Sequence, residues 1–446
     1  MTEQKPVTTE IFGSLLLSET TLVERVANGT LVLAGEENLI PTAEVTVGGN
    51  IYRAGQLAPS LELALKLPLS AACPNMVDLF AEITSTLTGF AGVAGEEAPL
   101  LAAAVLASWV SDALPLPLHI AIVGIGGLTR LKSVLASLVR YPLVLADVRA
   151  IELGTLPAGI EPTLLVSQPS PRTLRQLAMT QERGNFHLKA GNLLAVPHCT
   201  CFTFSSAPID RAALTVNVTQ ANSRPVAKFQ LEQLESTLRP QLLGFRLARW
   251  GAVALAQFDS PELTSEVRAA AQCLGRTLEG HPDAQQSVVH ALRAEEERRR
   301  TDLQESDAGV TLQALFTLAH DEESDRSVQA ITKVANALAA AEGHRFSERA
   351  IGSILREQLG FCTQRHAAGY RVLLSRTAGE RLHRMALEFR LTAPLFPREG
   401  CDLCVAMKTD SDLNDLHDVH EVHSAPFPES AVSPVESPSR PEEEGL

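Results

Sequence analysis

Six residues within sixteen carry the clearest chemistry in this chain: Gly124, Gly126, Gly127, Arg130, Lys132 and Ser133, in L-H-I-A-I-V-G-I-G-G-L-T-R-L-K-S. Glycines after an apolar run, followed by a lysine and a hydroxyl residue, are the types that cradle phosphate. Backbone N–H groups wrap the anion, the lysine reaches the terminal phosphates, and the hydroxyl holds a metal. ATP with magnesium is the cofactor such a turn would take. The pattern G-x-x-x-x-G-K-[ST] fits in two ways. From Gly124, Gly127 falls at an inner position, but Thr129 replaces the second glycine, Arg130 the lysine and Leu131 the hydroxyl residue. From Gly126, Lys132 and Ser133 fall in place and only the second glycine is lost, to Leu131. Both alignments stay open beside a plainer reading, a tight strand-to-helix turn without a ligand.

Two further groups have chemical potential. Cys401-x2-Cys404-x12-His417-x5-His423, with His420 between the histidines, satisfies the spacing of a tetrahedral zinc site. The competing reading is drift in a low-complexity L-H-D-V-H-E-V-H segment with little apolar material behind it. Between Arg345 and Arg390 lie nine arginines against four glutamates, a local excess of five positive charges in a chain at −14. That is the sign a phosphate backbone needs, and Arg349, Arg356, Arg365, Arg371 and Arg376 are the candidate nucleic-acid contacts, with DNA as the expected partner. Solubilising arginines on a protein-contact module are the alternative.

The elements that must position these residues can be read from periodicity. Composition first narrows the class: 446 residues, 45% hydrophobic with 4% aromatic, predict several aliphatic domains. A charge of −14 disfavours nonspecific coating by nucleic acid over the whole surface and permits a local basic site. Seven scattered cysteines fit a reduced compartment, the N-terminus has no apolar signal core, and the most apolar window, 98–114, is short and interrupted. A cytoplasmic protein without a membrane span is expected.

Residues 1–74 alternate short apolar runs with Gly and Pro turns, as a small β-rich segment does. From residue 75 the period becomes helical, with Met76, Leu79, Phe80, Ile83 and Leu87 on one face and an almost wholly apolar helix over 99–110. Buried strands are predicted at 119–123, 142–146 and 162–166, with a helix over 128–140 between the first two. The third strand ends in Ser167-Gln168, where a hydrolase would need an acid for its metal; Asp147 ends the second. Lys189-Ala190-Gly191-Asn192 predicts a hairpin turn, and 199–204 and 214–219 read as strands, with Cys199 and Cys201 as small core side chains. Residues 225–292 read as helical, Glu295 to Arg300 as a solvated helix face, and 301–309 as a polar linker. Helices at 311–320, 328–342 and 348–358, a two-stranded hairpin with a strand at 370–374, and a helix at 377–390 make a winged variant of the helix-turn-helix. Ser347 caps its third helix and Gly360 closes it. The proline-rich end, from 424 onward, cannot pack a core.

The expected architecture is therefore α/β: a phosphate-loop NTPase-like core with a parallel sheet and a helical extension (75–300), a winged-helix module (310–392) and a tail (393–446). In that order the chain resembles the primase-helicase proteins of phages and mobile elements, through the 120–135 turn, the 162–168 strand and the module around 349–374. The resemblance implies a DNA-associated protein with an ATPase fold. Arg224, after the last strand, stands where ring-forming ATPases offer an arginine to a neighbouring copy of a homo-oligomer; a solvated arginine is the plainer reading. The chain departs from the pattern at Thr129 or Leu131 and at Ser167-Gln168, so decayed or weak hydrolysis is the leading expectation. An active helicase using Lys132 and Ser133, and a ligand-sensing transcriptional regulator, are the alternatives.

Overall fold

The computed structural model describes residues 8–18, 21–34, 39–124, 126–180, 185–189, 192–206, 214–218, 226–320, 325–343, 345–366, 369–389, 391, 401 and 404. The chain divides into two compact units, Met1–Arg299 and Arg300–Leu446. Arg224, His417, His420 and His423 lie outside the described residues.

The first unit opens with six strands: β1 (Thr8–Ile11), β2 (Ser14–Leu16), β3 (Leu22–Val26), β4 (Thr30–Leu33), β5 (Glu44–Val47) and β6 (Asn50–Ala54). They form two three-stranded sheets, β2-β3-β4 and β1-β6-β5, the latter pairing β1 parallel to β6. Helices α1 (Pro59–Leu65), α2 (Met76–Ala91) and α3 (Ala98–Trp109) follow. Asn75 caps α2, accepting from Val77 N at 3.1 Å, and Gly92 ends it in the left-handed region. α3 has no polar face to show to water, and all but one of its twelve residues are buried.

The central run is β7 (His119–Gly124), α4 (Leu128–Leu138), β8 (Pro142–Leu145), α5 (Ala150–Leu153), β9 (Thr163–Ser167), α6 (Pro171–Ala178), the hairpin β10 (Phe186–Lys189) and β11 (Asn192–Ala195), β12 (Cys201–Ser205) and β13 (Leu214–Val218). Five of these strands form one parallel sheet in the order β13-β7-β12-β9-β8. Their side chains divide by the two-residue period of a strand buried on both faces. Ile120, Ile122, Leu165, Phe202 and Phe204 enter the large core shared with α2, α3 and α4, whereas Leu164, Val166, Cys199 and Cys201 enter a second core with Leu65 and Leu177.

Helices α7 (Lys228–Leu255), α8 (Ser265–Thr277) and α9 (Pro282–Glu305) complete the run. Two expectations change here. Glu295 and Glu296 are not on a solvated face: they are 1% and 4% exposed. Glu295 accepts from Thr215 N on the edge strand β13 at 3.1 Å, and Glu296 accepts from Thr264 N at the start of α8 at 2.7 Å. Backbone donors of an uncovered sheet edge and a helix start need acceptors, and these carboxylates supply them. Residues 301–305 are also helical, where a polar linker was expected, because α9 continues to Glu305.

In the second unit α10 (Asp307–Ala319), α11 (Val328–Leu338) and α12 (Glu348–Ser353) come first. A single π-type turn over Ile354–Gln358 extends α12. The antiparallel hairpin β14 (Thr363–His366) and β15 (Gly369–Val372) follows, then α13 (Arg376–Glu388). Leu312, Leu315, Phe316, Ile331, Ile351, Leu355, Phe361 and Leu382 fill one core.

Candidate functional site

The phosphate-type turn sits at the C-terminal end of β7. Strand β7 lies between β13 and β12, both later in the chain, while the next strand, β8, is at the far edge. A parallel sheet opens a crevice where its strand order reverses, and the glycine turn is placed there. Gly126 and Gly127 take φ of 91° and 63°, which glycine alone adopts at no cost, and Gly127 caps α4. Gly124 serves strand packing instead. A Cβ there would come within 2.6 Å of Val218 O, so the missing side chain lets β7 pack against β13.

The side chains of the turn are spoken for. Leu131, in the position of the lost glycine, is 0% exposed and packs into the main core. Ser133 Oγ donates to Thr129 O, one turn back, at 3.0 Å. Lys132 Nζ donates to Ser167 Oγ at 2.7 Å, at the end of β9. The next residue, Gln168, has φ of 48° and donates its N–H to Phe204 O at 2.7 Å. Asp147 is engaged elsewhere: it accepts from Thr173 Oγ1 at 2.7 Å and from Val148 N at 2.8 Å, and these bonds hold its carboxyl below the usual range. A cavity of about 710 Å³ lies away from this turn, beside Lys66, which follows α1, and Glu235 and Arg239 of α7.

A buried ionic network has no counterpart in the sequence motifs. Glu24 of β3 accepts from Arg140 Nε at 3.1 Å and Nη2 at 2.8 Å, from Tyr141 Oη at 2.6 Å and from Arg246 Nε at 2.8 Å. Arg246 also donates to both oxygens of Asp112, at 2.7 and 2.8 Å, and to Trp109 O at 2.7 Å. Burial alone would raise the Asp112 carboxyl, but the Arg246 guanidinium beside it holds it well below the ordinary carboxylate range. Burial raises the Tyr141 hydroxyl, and the Glu24 charge adds to that. Nothing in local spacing signals partners more than a hundred residues apart.

In the second unit the candidate nucleic-acid residues share an exposed surface type. Arg349 and Arg356, seven apart on α12 and its π-type extension, Arg365 on β14, Arg371 on β15 and Arg376 at the start of α13 are all exposed. Ser347 Oγ accepts from Ala350 N at 3.2 Å to start α12, and Gly360, with φ of 65°, ends it. Across the hairpin Arg365 pairs with Tyr370 and Gln364 with Arg371. The hairpin is tied back to the helices by a bridge from Arg371 to Ser327 and by Val372 N donating to Arg326 O at 3.0 Å. Only Arg371, 3.9 Å from Asp325, and Arg376, 3.2 Å from Glu380, have a carboxylate partner among these five in the described residues. Exposed pairs of this kind are weak and leave the charge available to an anion.

Cys401 and Cys404 also belong to this unit, and the structure sets them against His320 and His383. One ligand atom from each of the four lies within 4.8 Å of all the others. The spacing of the chain offered His417 and His423 instead. His320 and His383 stand more than sixty residues apart, at the end of α10 and inside α13, so no short motif contains them.

No helix among the described residues is long and apolar enough to cross a membrane. No family model matches the sequence, and no curated protein matches it. Among solved structures the chain is similar to the apo A form of the NrS-1 C-terminal region, over 74% of this chain and 81% of that chain, at 9% identity and a TM-score of 0.30. A second structure of that region matches over 80% of this chain and 97% of that chain, at 7% identity and a TM-score of 0.29. Drosophila ORC bound to DNA matches over 74% of this chain and 93% of that chain, at 13% identity and a TM-score of 0.17.

Proposed function

We propose that this protein binds DNA through its second unit, used as a winged helix, and that its first unit is a nucleotide-hydrolase type of α/β core that has lost hydrolysis. The observation that carries the reading is the set of exposed arginines on α12, the β14–β15 hairpin and α13. A capped helix beside a hairpin is the pairing in which the helix enters the major groove while the hairpin touches phosphate. Arginine on both would supply backbone neutralisation.

The loss of hydrolysis is supported by Lys132 and Ser167. A hydrolase needs a carboxylate at a strand end within reach of its phosphate turn, to hold magnesium and orient water. Here the strand end presents a neutral hydroxyl, and the lysine donates to it. Residual binding of a nucleotide or phosphate at Gly126, Gly127 and Lys132 is compatible with this arrangement.

Fluorescence anisotropy with a labelled duplex, at about 50 and about 200 mM salt, tests the first half. Affinity should fall steeply between the two. An absence of binding at the lower salt would remove the DNA reading. Phosphate release from ATP and magnesium tests the second half: the rate should stay at background, and a robust rate abolished by Lys132→Ala would show an active enzyme.

A further inference from the structure

We propose that His320, His383, Cys401 and Cys404 form a closed zinc site that fastens the segment after α13 to the core of the second unit. His320 Nε2 lies 3.1 Å from His383 Nε2, Cys401 Sγ lies 3.3 Å from His383 Nε2, and Cys404 Sγ lies 3.3 Å from His320 Nε2. Tetrahedral zinc with Zn–N of about 2.05 Å and Zn–S of about 2.3 Å requires edges of about 3.3 Å between nitrogens and about 3.6 Å between nitrogen and sulfur. These three edges match those figures to within about 0.3 Å, and all four ligand atoms lie within 4.8 Å of one another.

The hydrogen bonds around the rings argue for a cation. His320 Nδ1 is 2.8 Å from Phe316 O and His383 Nδ1 is 2.7 Å from Gly379 O. A carbonyl oxygen only accepts, so each Nδ1 carries the ring proton and donates it. Each Nε2 then directs a lone pair at the other, at a distance where a shared proton or cation is needed between them. Two thiols, each donating to the nearer Nε2, would satisfy the rings singly but would leave that nitrogen–nitrogen approach repulsive. One ion accepting from all four atoms accounts for every short distance at once.

The donor set selects the metal. Two thiolates and two imidazoles favour zinc over hard cations, and together they neutralise its charge, which suits a site where Cys404 is 0% and His383 is 4% exposed. The carbonyls of Phe316 and Gly379 fix ring tautomer and orientation, as outer partners of metal-bound histidines do. Four protein ligands leave no position for water or substrate, so the role is structural. Cys404, Phe389 and Leu391 belong to the core of the second unit and Cys401 packs against that core, so the ion would clasp α10, α13 and the following chain together. The site is built from side chains of the second unit alone and does not depend on DNA binding.

The test uses the full chain, purified under reducing conditions and reconstituted with zinc. Elemental analysis should find about one zinc per chain. Thiol modification followed by a chromophoric chelator should release it, and cobalt should give the intense absorption of a tetrahedral thiolate site. His320→Gln with His383→Gln should lose the ion, and His417→Ala with His423→Ala should keep it. Wild-type protein that is folded by circular dichroism yet takes up no zinc or cobalt would overturn the proposal, leaving a thiol–imidazole hydrogen-bond cluster. Metal lost with His417 and His423 but retained without His320 and His383 would overturn it as well. Release from the wild type is decisive even if a histidine variant fails to fold.

Discussion

Lys132 Nζ and Ser167 Oγ, 35 residues apart, meet at 2.7 Å where the helix after β7 passes the end of β9. The contact ties the phosphate-type turn to the strand that would hold the metal in a hydrolase, with a neutral group where a carboxylate is needed. Beside that lysine, Leu131 reads in the sequence as an obstruction that a glycine would repair. In the folded chain it is a core residue.

Leu131→Gly should therefore not restore a working turn. Removing a fully buried leucine side chain costs about 2–5 kcal/mol, and a glycine inside a helix adds about 1 kcal/mol. Urea unfolding should show a loss within that range and phosphate release should remain at background. A variant as stable as the wild type would refute the packing described for α4.

Glu24 is the hub of the buried network, so Glu24→Gln leaves Arg140 and Arg246 with a charge removed from their shared acceptor. Truncating one partner of a buried ion pair costs about 3–5 kcal/mol. The midpoint of chemical unfolding should fall accordingly. Because Asp112 is held below its ordinary range, its contribution is whole at neutral pH and is lost only in acid, as pH falls below the unfolded value.

His119 gives a second pH signal in a different window. Burial pushes its imidazole down to about 4 from 6.5, and its Nε2 lies 3.1 Å from Thr203 Oγ1. The unfolded chain binds that proton more readily than the folded one, so stability is intact above the unfolded value and declines as pH drops toward the folded one. The decline attributable to this group is up to roughly 3 kcal/mol. His119→Asn should flatten it, and an unchanged slope in the variant would assign the decline to other groups.

The five exposed arginines predict a salt dependence for DNA binding. If all five neutralise phosphates, the logarithm of the association constant should fall against the logarithm of salt with a slope of about −4.5. Each of Arg349→Ala, Arg356→Ala and Arg365→Ala should reduce that slope by about 1. Arg293→Ala, on α9 of the first unit and paired with Glu262, should leave it unchanged. Equal losses from all four would mean that the second unit is not the binding surface.

Elements governed by local pattern were legible in the chain itself. The strand, glycine turn and helix at 119–138, the strands at 142–145 and 163–167, and the helices, hairpin and caps of the second unit all follow from periodicities of two or 3.6 and from Gly, Ser and Pro at element ends. Tertiary packing decided what these patterns could not contain. It turned Leu131 inward, made Gly124 a contact between strands, and buried Glu295 and Glu296 beneath backbone donors. It gathered Glu24 with Arg140 and Arg246, and Cys401 and Cys404 with His320 and His383. The physical reason is one of range. Backbone propensity and amphipathicity act over a few residues, whereas the partner of a buried charge or a thiol is whichever group the packed helices and sheet bring within about 3 Å of it.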